Sequence, residues 1–308
     1  MPSQSILLIG ASGFVGPYFN AEFLAQKVKF ARIAILSDAS KISKFEKEAA
    51  AGVEMVMGSY LEPGSFKGLS PYLYTLRLTY SDGFRFKKTH ARQRPHESTT
   101  ANHYSSAAIA GGVTHFYPSE YGSDLSQPVA LKQRYFRDKQ TTRRHLEKVA
   151  KEHNTFGYTY IMSGGFSEYA AHPAFGFVKE RKLDSWGRTD KLQPFAGVRD
   201  VAKYLVASTL TIPSPGTILA SDSQERQFKI PTSAYTWDEI VTLISRLEGT
   251  EKYAKEGDVG QELAWDLKAF LGDPNAVQVP KPWDTNKFPE IEPEELEVSL
   301  KRFLDATK

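Results

Sequence analysis

The 308-residue chain contains no cysteine. That removes disulfides, thiolate metal sites and a cysteine nucleophile from consideration. No apolar run approaches the roughly 20 residues that span a bilayer. Met1 to Ser5 is short and polar, unlike the start of a signal peptide. Charge of one sign is also scarce: 39 Lys and Arg stand against 36 Asp and Glu, a formal net charge of +3. Such a balance creates no global field for nucleic acid or a membrane surface. Repeats and low-complexity tracts are missing too. The expectation is a soluble, cytoplasmic protein whose partner is a small-molecule substrate. With 41% hydrophobic and 24% charged residues, the composition is that of a globular chain of one large or two intimately joined domains.

What is present is a regular alternation. Ile6 to Ile9, Ile33 to Leu36 and Val53 to Met57 read as buried strands. Phe14 to Lys27, with Phe19, Phe23 and Leu24 on one face, and the Lys-rich Ser40 to Ala51 read as the helices between them. This βαβαβ order calls for a parallel sheet with helical crossovers, an α/β fold of the doubly wound Rossmann type. Strands at Thr114 to Tyr117 and Tyr158 to Met162 follow, separated by a long helix expected from about Ala130 to Glu152. After residue 165 the chain carries more Pro and Gly. Helices are expected there around Thr236 to Leu247 and Glu294 to Ala306, the first opened by a capping-box spacing, Thr236 and Glu239. The expected division is a dinucleotide-binding domain over residues 1–165, to which the chain returns near 196–222, and a smaller α/β substrate-binding region over 166–308.

The first strand runs into "GASGFVG", with Gly10, Gly13 and Gly16 spaced three apart. Gly10 would turn the chain off the strand, Gly13 would admit a pyrophosphate, and Gly16 would let the helix pack on the sheet. The helix N-terminus then offers N–H groups and partial positive charge to phosphates. The bland alternative is a glycine-rich turn without a ligand. On the dinucleotide reading the cradle is Gly10, Ala11, Ser12, Gly13, Phe14, Val15 and Gly16, and Pro17 is tolerable in the helix's first turn. The second strand ends in "LSDASK". There Asp38 either accepts the ribose hydroxyls of NAD or caps the following helix, while Lys41 and Lys44 would pair with the 2′-phosphate of NADP.

Two further stretches carry candidate chemistry: "YPSEYGSD" after a strand and "YFRDKQTTRR" beyond it. Tyr135 and Lys139, four apart, would share one helical face. A Lys ammonium lowers a neighbouring phenol's pKa, so Tyr135 could exchange a proton with a carbonyl while a hydride moves. Ser119 would orient the oxygen. A solvated helix face is the competing explanation of the Tyr–Lys pair.

These pieces together resemble the NmrA-like branch of atypical short-chain dehydrogenases, close to the isoflavone reductase and phenylcoumaran benzylic ether reductase family. The likeness is carried by "GASGFVG", "AGGVTHFYPSEYGSD", "KQTTRR" and "GYTYIMSGGF", with "VRDVAK" and "YTWDEIVTLIS" less diagnostic. The resemblance implies NADPH-dependent reduction of a small, aromatic or polyketide-like secondary metabolite. It implies that Lys139, matching K-x-x-x-RR, acts at the nicotinamide as base or electrostatic partner, and that Arg143 approaches the cofactor phosphates. Family members carry an Arg at the end of the second strand; here Ser37 stands at about that place, with Asp38 beside it. The family often lacks a Tyr at the position of Tyr135. A non-catalytic, dinucleotide-sensing regulator with a protein partner is the rival function.

Residues 71–104 depart from that pattern. Leu73 to Tyr80 alternates as a strand would, but Arg77 is ill suited to a central one. Arg85, Lys87, Lys88, Arg92 and Arg94 follow, opposed only by Asp82 and Glu97. A solvated basic loop, a phosphate or nucleic-acid patch, and a retained intron or frameshift all remain open, the last slightly favoured over the loop. His90, His96, His103 and His115 lack metal-ligand spacing, and no metal is expected. Phe166, Tyr169, Phe175 and Phe177 would line an aromatic cleft or pack in the core.

Overall fold

The computed structural model describes residues 4–59, 62–66, 74–77, 106–133, 136–171, 182–183, 189–214, 216–249, 254–255, 270–271, 273 and 276–307. Strands β1 (Ser5–Ile9), β2 (Arg32–Ser37), β3 (Glu54–Met57), β4 (Tyr74–Arg77), β5 (His115–Tyr117), β6 (Gly157–Met162) and β10 (Glu225–Lys229) form a sheet ordered β10-β6-β5-β4-β1-β2-β3. The pairs of β1 with β2 and β4, β2 with β3, β4 with β5, and β5 with β6 are all parallel. That order, reversing direction between β1 and β4, is the doubly wound Rossmann arrangement expected from the alternation.

Burial explains why the strands read as unbroken apolar runs. Both faces of a parallel sheet are covered by helices, so neither set of alternating residues meets water. Ile6, Leu7, Leu8 and Ile9 are all buried. Leu7 and Ile9 share a cluster with Phe116, Tyr158 and Tyr160 from the sheet and Leu146, Val149 and Ala150 from the long helix, Arg137–Glu152. The spacing of those three helical residues makes one stripe. On the helix after β1, α1 (Gly16–Ala25), Phe19 and Phe23 are fully buried. At the sheet's edge the constraint relaxes, and Met57 of β3 is 68% exposed.

Several boundaries differ from expectation. Residues 40–51 form a 3-10 stretch, Ala39–Phe45, followed by a short α-helix, α2 (Glu46–Ala50). The helix expected over Ala130 to Glu152 is two: a one-turn helix, Pro128–Leu131, and the long α3 (Arg137–Glu152). Lys132 caps the first, and Phe136 lies buried against Phe270 with ring centroids 5.1 Å apart. Tyr74–Arg77 does form a strand, and a central one, between β1 and β5. Its register with Ile9 places Arg77 at the strand's C-terminal end, where a parallel sheet opens, and not in its middle. Residues 71–73 and 78–104 lie outside the described residues, as do Phe175 and Phe177. Phe166 is buried and its ring packs on Tyr169, 5.6 Å between centroids.

The chain divides into two compact units. The first is Met1–Glu120, Asp138–Tyr160 and Leu205–Gln227; the second is Tyr121–Arg137, Ile161–Tyr204 and Phe228–Lys308. Thus 121–137 groups with the later chain. The second unit holds a three-stranded sheet, β11 (Ser233–Tyr235), β9 (Gln193–Ala196) and β7 (Gly165–Phe166), in that order. The capping box forms at Trp237–Glu248: Glu239 N donates to Thr236 Oγ1 at 3.2 Å and Thr236 N to Glu239 Oε2 at 2.7 Å.

A second cap in this unit is ionisable. Buried Glu168 receives the Val198 N–H on both carboxylate oxygens at 3.1 Å, at the start of helix Val198–Thr209. Burial pushes its carboxyl up to about 7, against the opposing pull of backbone N–H groups and Arg302. The folded carboxyl keeps its proton to a higher pH than the ordinary 4.5, so between those values the folded state binds more protons than the unfolded one. This contribution to stability is therefore full below pH 4.5 and is lost as pH rises through 7, by at most about 3 kcal/mol. Urea unfolding at pH 5 and pH 8 should show that loss in the parent and a smaller loss in Glu168→Gln. An equal loss in both proteins would refute the assignment.

Candidate functional site

The parallel register brings three chain segments to one edge of the sheet. Ile9 pairs with Leu36 and Arg77, and Leu76 pairs with Tyr117, so the turns that follow β1, β2 and β5 emerge side by side. Ligands of open α/β sheets bind in the crevice beyond these carboxyl ends.

The first turn is the glycine loop. Gly10 has φ of +79°, a conformation that side chains disfavour. Gly13 N donates to Gly10 O at 2.9 Å and Gly16 N to Gly13 O at 3.2 Å, giving two successive tight turns into α1. Ala11 and Val15 are buried, Ser12 is exposed, and Gly13 and Phe14 are half-buried. Gly16 has a different task from the one expected. A Cβ there would lie 2.1 Å from the Ala11 carbonyl oxygen, so the crowding is with the loop's own backbone. Asn20, one turn on, also reaches that carbonyl at 3.5 Å and donates to Glu48 Oε1 of α2 at 3.1 Å. No side chain caps the N-terminus of α1, where Pro17 sits in the first turn. Its amides and positive dipole end are suited to an anion.

The second turn follows β2. Asp38 caps the 3-10 stretch: Ser40 N donates to its Oδ1 at 2.8 Å. The hydrogen bonds from Ser40 hold this exposed carboxyl below its ordinary range. Ser37 ends the strand, and Lys41 and Lys44 are exposed on the turns beyond. The capping alternative for Asp38 is the geometry found.

The third turn carries Ser119, half-buried two residues past β5. Beside it Glu120 is 1% exposed and paired with Arg143 of α3, Oε2 to Nη2 at 2.8 Å. The Arg143 guanidinium carbon lies 4.2 Å from the centroid of the Tyr160 ring. The resemblance implied that Arg143 approaches the cofactor phosphates; its buried guanidinium here pairs with Glu120 and lies against the Tyr160 ring. Lys139 is the third residue of α3, half-buried, one turn before Arg143 on the same face. The helix α3 starts at Arg137, and Tyr135, the expected partner of Lys139, lies outside the described residues. Sequence reasoning passed over Glu120, although a carboxylate amid "FYPSEYG" was the available signal.

Nearby, His115 is packed and not a ligand. It is 2% exposed, hydrogen-bonded to Thr159 Oγ1 at 2.8 Å, and held well below its ordinary pKa by burial and then by Arg226. Among the described residues no group of three or more His, Asp or Glu could hold a metal. None of the described helices is long and apolar enough to cross a membrane.

Residues 2–261 match the NmrA-like family. The chain belongs to the NmrA-like family. Solved structures share this NmrA-like fold over nearly the full length. AtPrR2 with NADP+ and (+)-pinoresinol is 19% identical, covering 98% of this chain and 99% of that one, with a TM-score of 0.67. The ternary complex of leucoanthocyanidin reductase from Vitis vinifera is 15% identical, with 98% and 99% coverage and a TM-score of 0.68. Triphenylmethane reductase from Citrobacter sp. is 15% identical, with 98% and 99% coverage and a TM-score of 0.67. At these identities the likeness is one of fold. No curated protein sequence matches.

The glycine loop of this NmrA-like chain yields a direct test. Gly16→Ala forces a methyl against the Ala11 carbonyl and should lower stability by about 1–3 kcal/mol. Gly64→Ala, whose added Cβ meets nothing within 4 Å, should be close to neutral. Melting temperatures of the two variants check this; equal values would show that the Ala11 contact imposes no constraint.

Proposed function

We propose that this protein is an NADPH-dependent reductase of a small, aromatic or polyketide-like metabolite, NAD being the second choice of cofactor. The observation that carries this reading is the glycine loop leading into an uncapped helix N-terminus at the carboxyl edge of a parallel sheet. The residues present fit a dinucleotide. Gly10 to Gly16 would hold the pyrophosphate, and Ser37, Asp38, Lys41 and Lys44 would meet the adenosine ribose. Structures of AtPrR2 with NADP+ and of leucoanthocyanidin reductase with NADPH support the choice of cofactor by their common fold. The first unit is the cofactor domain in this reading, and the second is the substrate-binding region.

The bound cofactor would supply hydride. The chain's own part is electrostatic and geometric. Lys139 stabilises negative charge developing on the substrate oxygen, and its ammonium can deliver the proton that oxygen takes up. Ser119 orients the same oxygen by hydrogen bonding, and Tyr135 assists in proton exchange. Arg143, buried with Glu120, belongs to the scaffold and leaves the phosphates to the loop amides.

Positioned acid–base groups contribute roughly 10²–10⁴-fold. Lys139→Ala should lose about that much in kcat, with cofactor affinity preserved. The measurement is NADPH-linked turnover over a carbonyl and enone panel, using a substrate the parent reduces. A parental kcat in the variant overturns the mechanism; a parent that binds NADPH but reduces nothing favours the regulator.

Asp38 bears on cofactor choice. Two charges about 5 Å apart in water interact by about 0.8 kcal/mol, close to fourfold in affinity. Asp38→Ala should therefore raise the NADPH-to-NADH affinity ratio by about that factor in a binding titration. An unchanged ratio would leave Asp38 as a cap alone.

A further inference from the structure

The Glu120–Arg143 pair is an odd choice for stability. Both side chains are buried, and desolvating two charges costs about as much as their attraction returns, so apolar residues of similar volume often serve equally well. Glu120 Oε1, moreover, is buried without a hydrogen-bond partner, a cost that a purely stabilising contact would not carry. What the pair does achieve is a link between the end of β5 and the first turns of α3, two segments joined by a 2.8 Å contact across 23 residues of sequence. Each member adjoins a group assigned to the chemistry. Ser119 precedes Glu120 directly, and Lys139 stands one helical turn before Arg143. The Tyr160 ring beneath the guanidinium, 4.2 Å away, fixes Arg143 from the third side.

We propose that Glu120 and Arg143 are positioning residues, whose ion pair sets the placement of Lys139 relative to Ser119. Neither touches the reacting atoms. The carboxylate of Glu120 fixes the height and rotation of α3 over β5 through its bond from Arg143 Nη2, and Lys139 inherits that placement through one turn of rigid helix. The reductase assignment gives this placement its purpose, so the inference rests on that reading, but its test does not require turnover.

The test compares the parent with the double variant Glu120→Met/Arg143→Met, which removes both charges and keeps an apolar filling. Reductive 13C-methylation followed by NMR reads the Lys139 amine, its signal assigned by its loss in Lys139→Arg. The double variant should fold, melting within about 5 °C of the parent, while the Lys139 signal shifts and its titration midpoint moves by about half a pH unit or more. On any substrate the parent reduces, kcat should fall about tenfold or more with little change in KM, as expected for misplacement of a reacting group. A folded double variant with parental Lys139 signal and titration overturns the proposal. Should the double variant not fold, Arg143→Lys decides the matter. It keeps the charge and loses the fork, and the same shift in the Lys139 signal is required of it. A shifted signal in a parent that reduces no substrate would uphold the positioning role and remove the reductase reading instead.

Discussion

Parallel, in-register pairing around β1 is the constraint from which the rest follows. Once Ile9 lies beside Leu36 and Arg77, and Leu76 beside Tyr117, the turns after β1, β2 and β5 must leave the sheet at one edge. Parallel strands also demand crossovers that return to the opposite end, and the helices that provide them cover both faces. The buried apolar runs and the shared stripe of Leu146, Val149 and Ala150 are consequences of that geometry. So is the emergence of Gly10, Asp38 and Ser119 at the same edge of the sheet.

At that edge, conformational freedom and close packing serve the same end. Gly10 turns the chain through a positive φ, while Gly16 lets the Ala11 carbonyl sit where a methyl would clash. With that carbonyl turned inward toward Asn20, the loop and the start of α1 leave their amides for a ligand. Asn20 also joins α1 to α2 through Glu48, coupling the glycine loop to the segment after β2. Backbone donors make such a site tolerant of sequence, which is consistent with a shared fold at 13–19% identity.

Buried charge is used sparingly and in identifiable places. Glu120 is matched by Arg143, whereas Glu168 is matched by a helix N-terminus. A helix end supplies only a partial charge, which does not offset burial, and Glu168 is pushed up to about 7.

Much of this could be read without coordinates, because it is written in short-range patterns. Alternation of apolar runs determined the βαβ order, the three glycines determined the turn into α1, and the spacing of Thr236 and Glu239 determined a capping box that forms as expected. Each is read from short, contiguous stretches of chain. Local pattern offered capping as one of two roles for Asp38, the one seen in the bond from Ser40 N, but it did not reveal that the long helix begins only at Arg137 or that Gly16 crowds the Ala11 carbonyl. It could not pair Glu120 with Arg143 or lay the Arg143 guanidinium on the Tyr160 ring. Those outcomes depend on which distant segments share a buried space, where the cost of an unpaired charge selects a partner that sequence spacing does not name. The sequence determined the elements and the glycine loop; the tertiary structure alone decided which distant polar groups pair with one another in the interior.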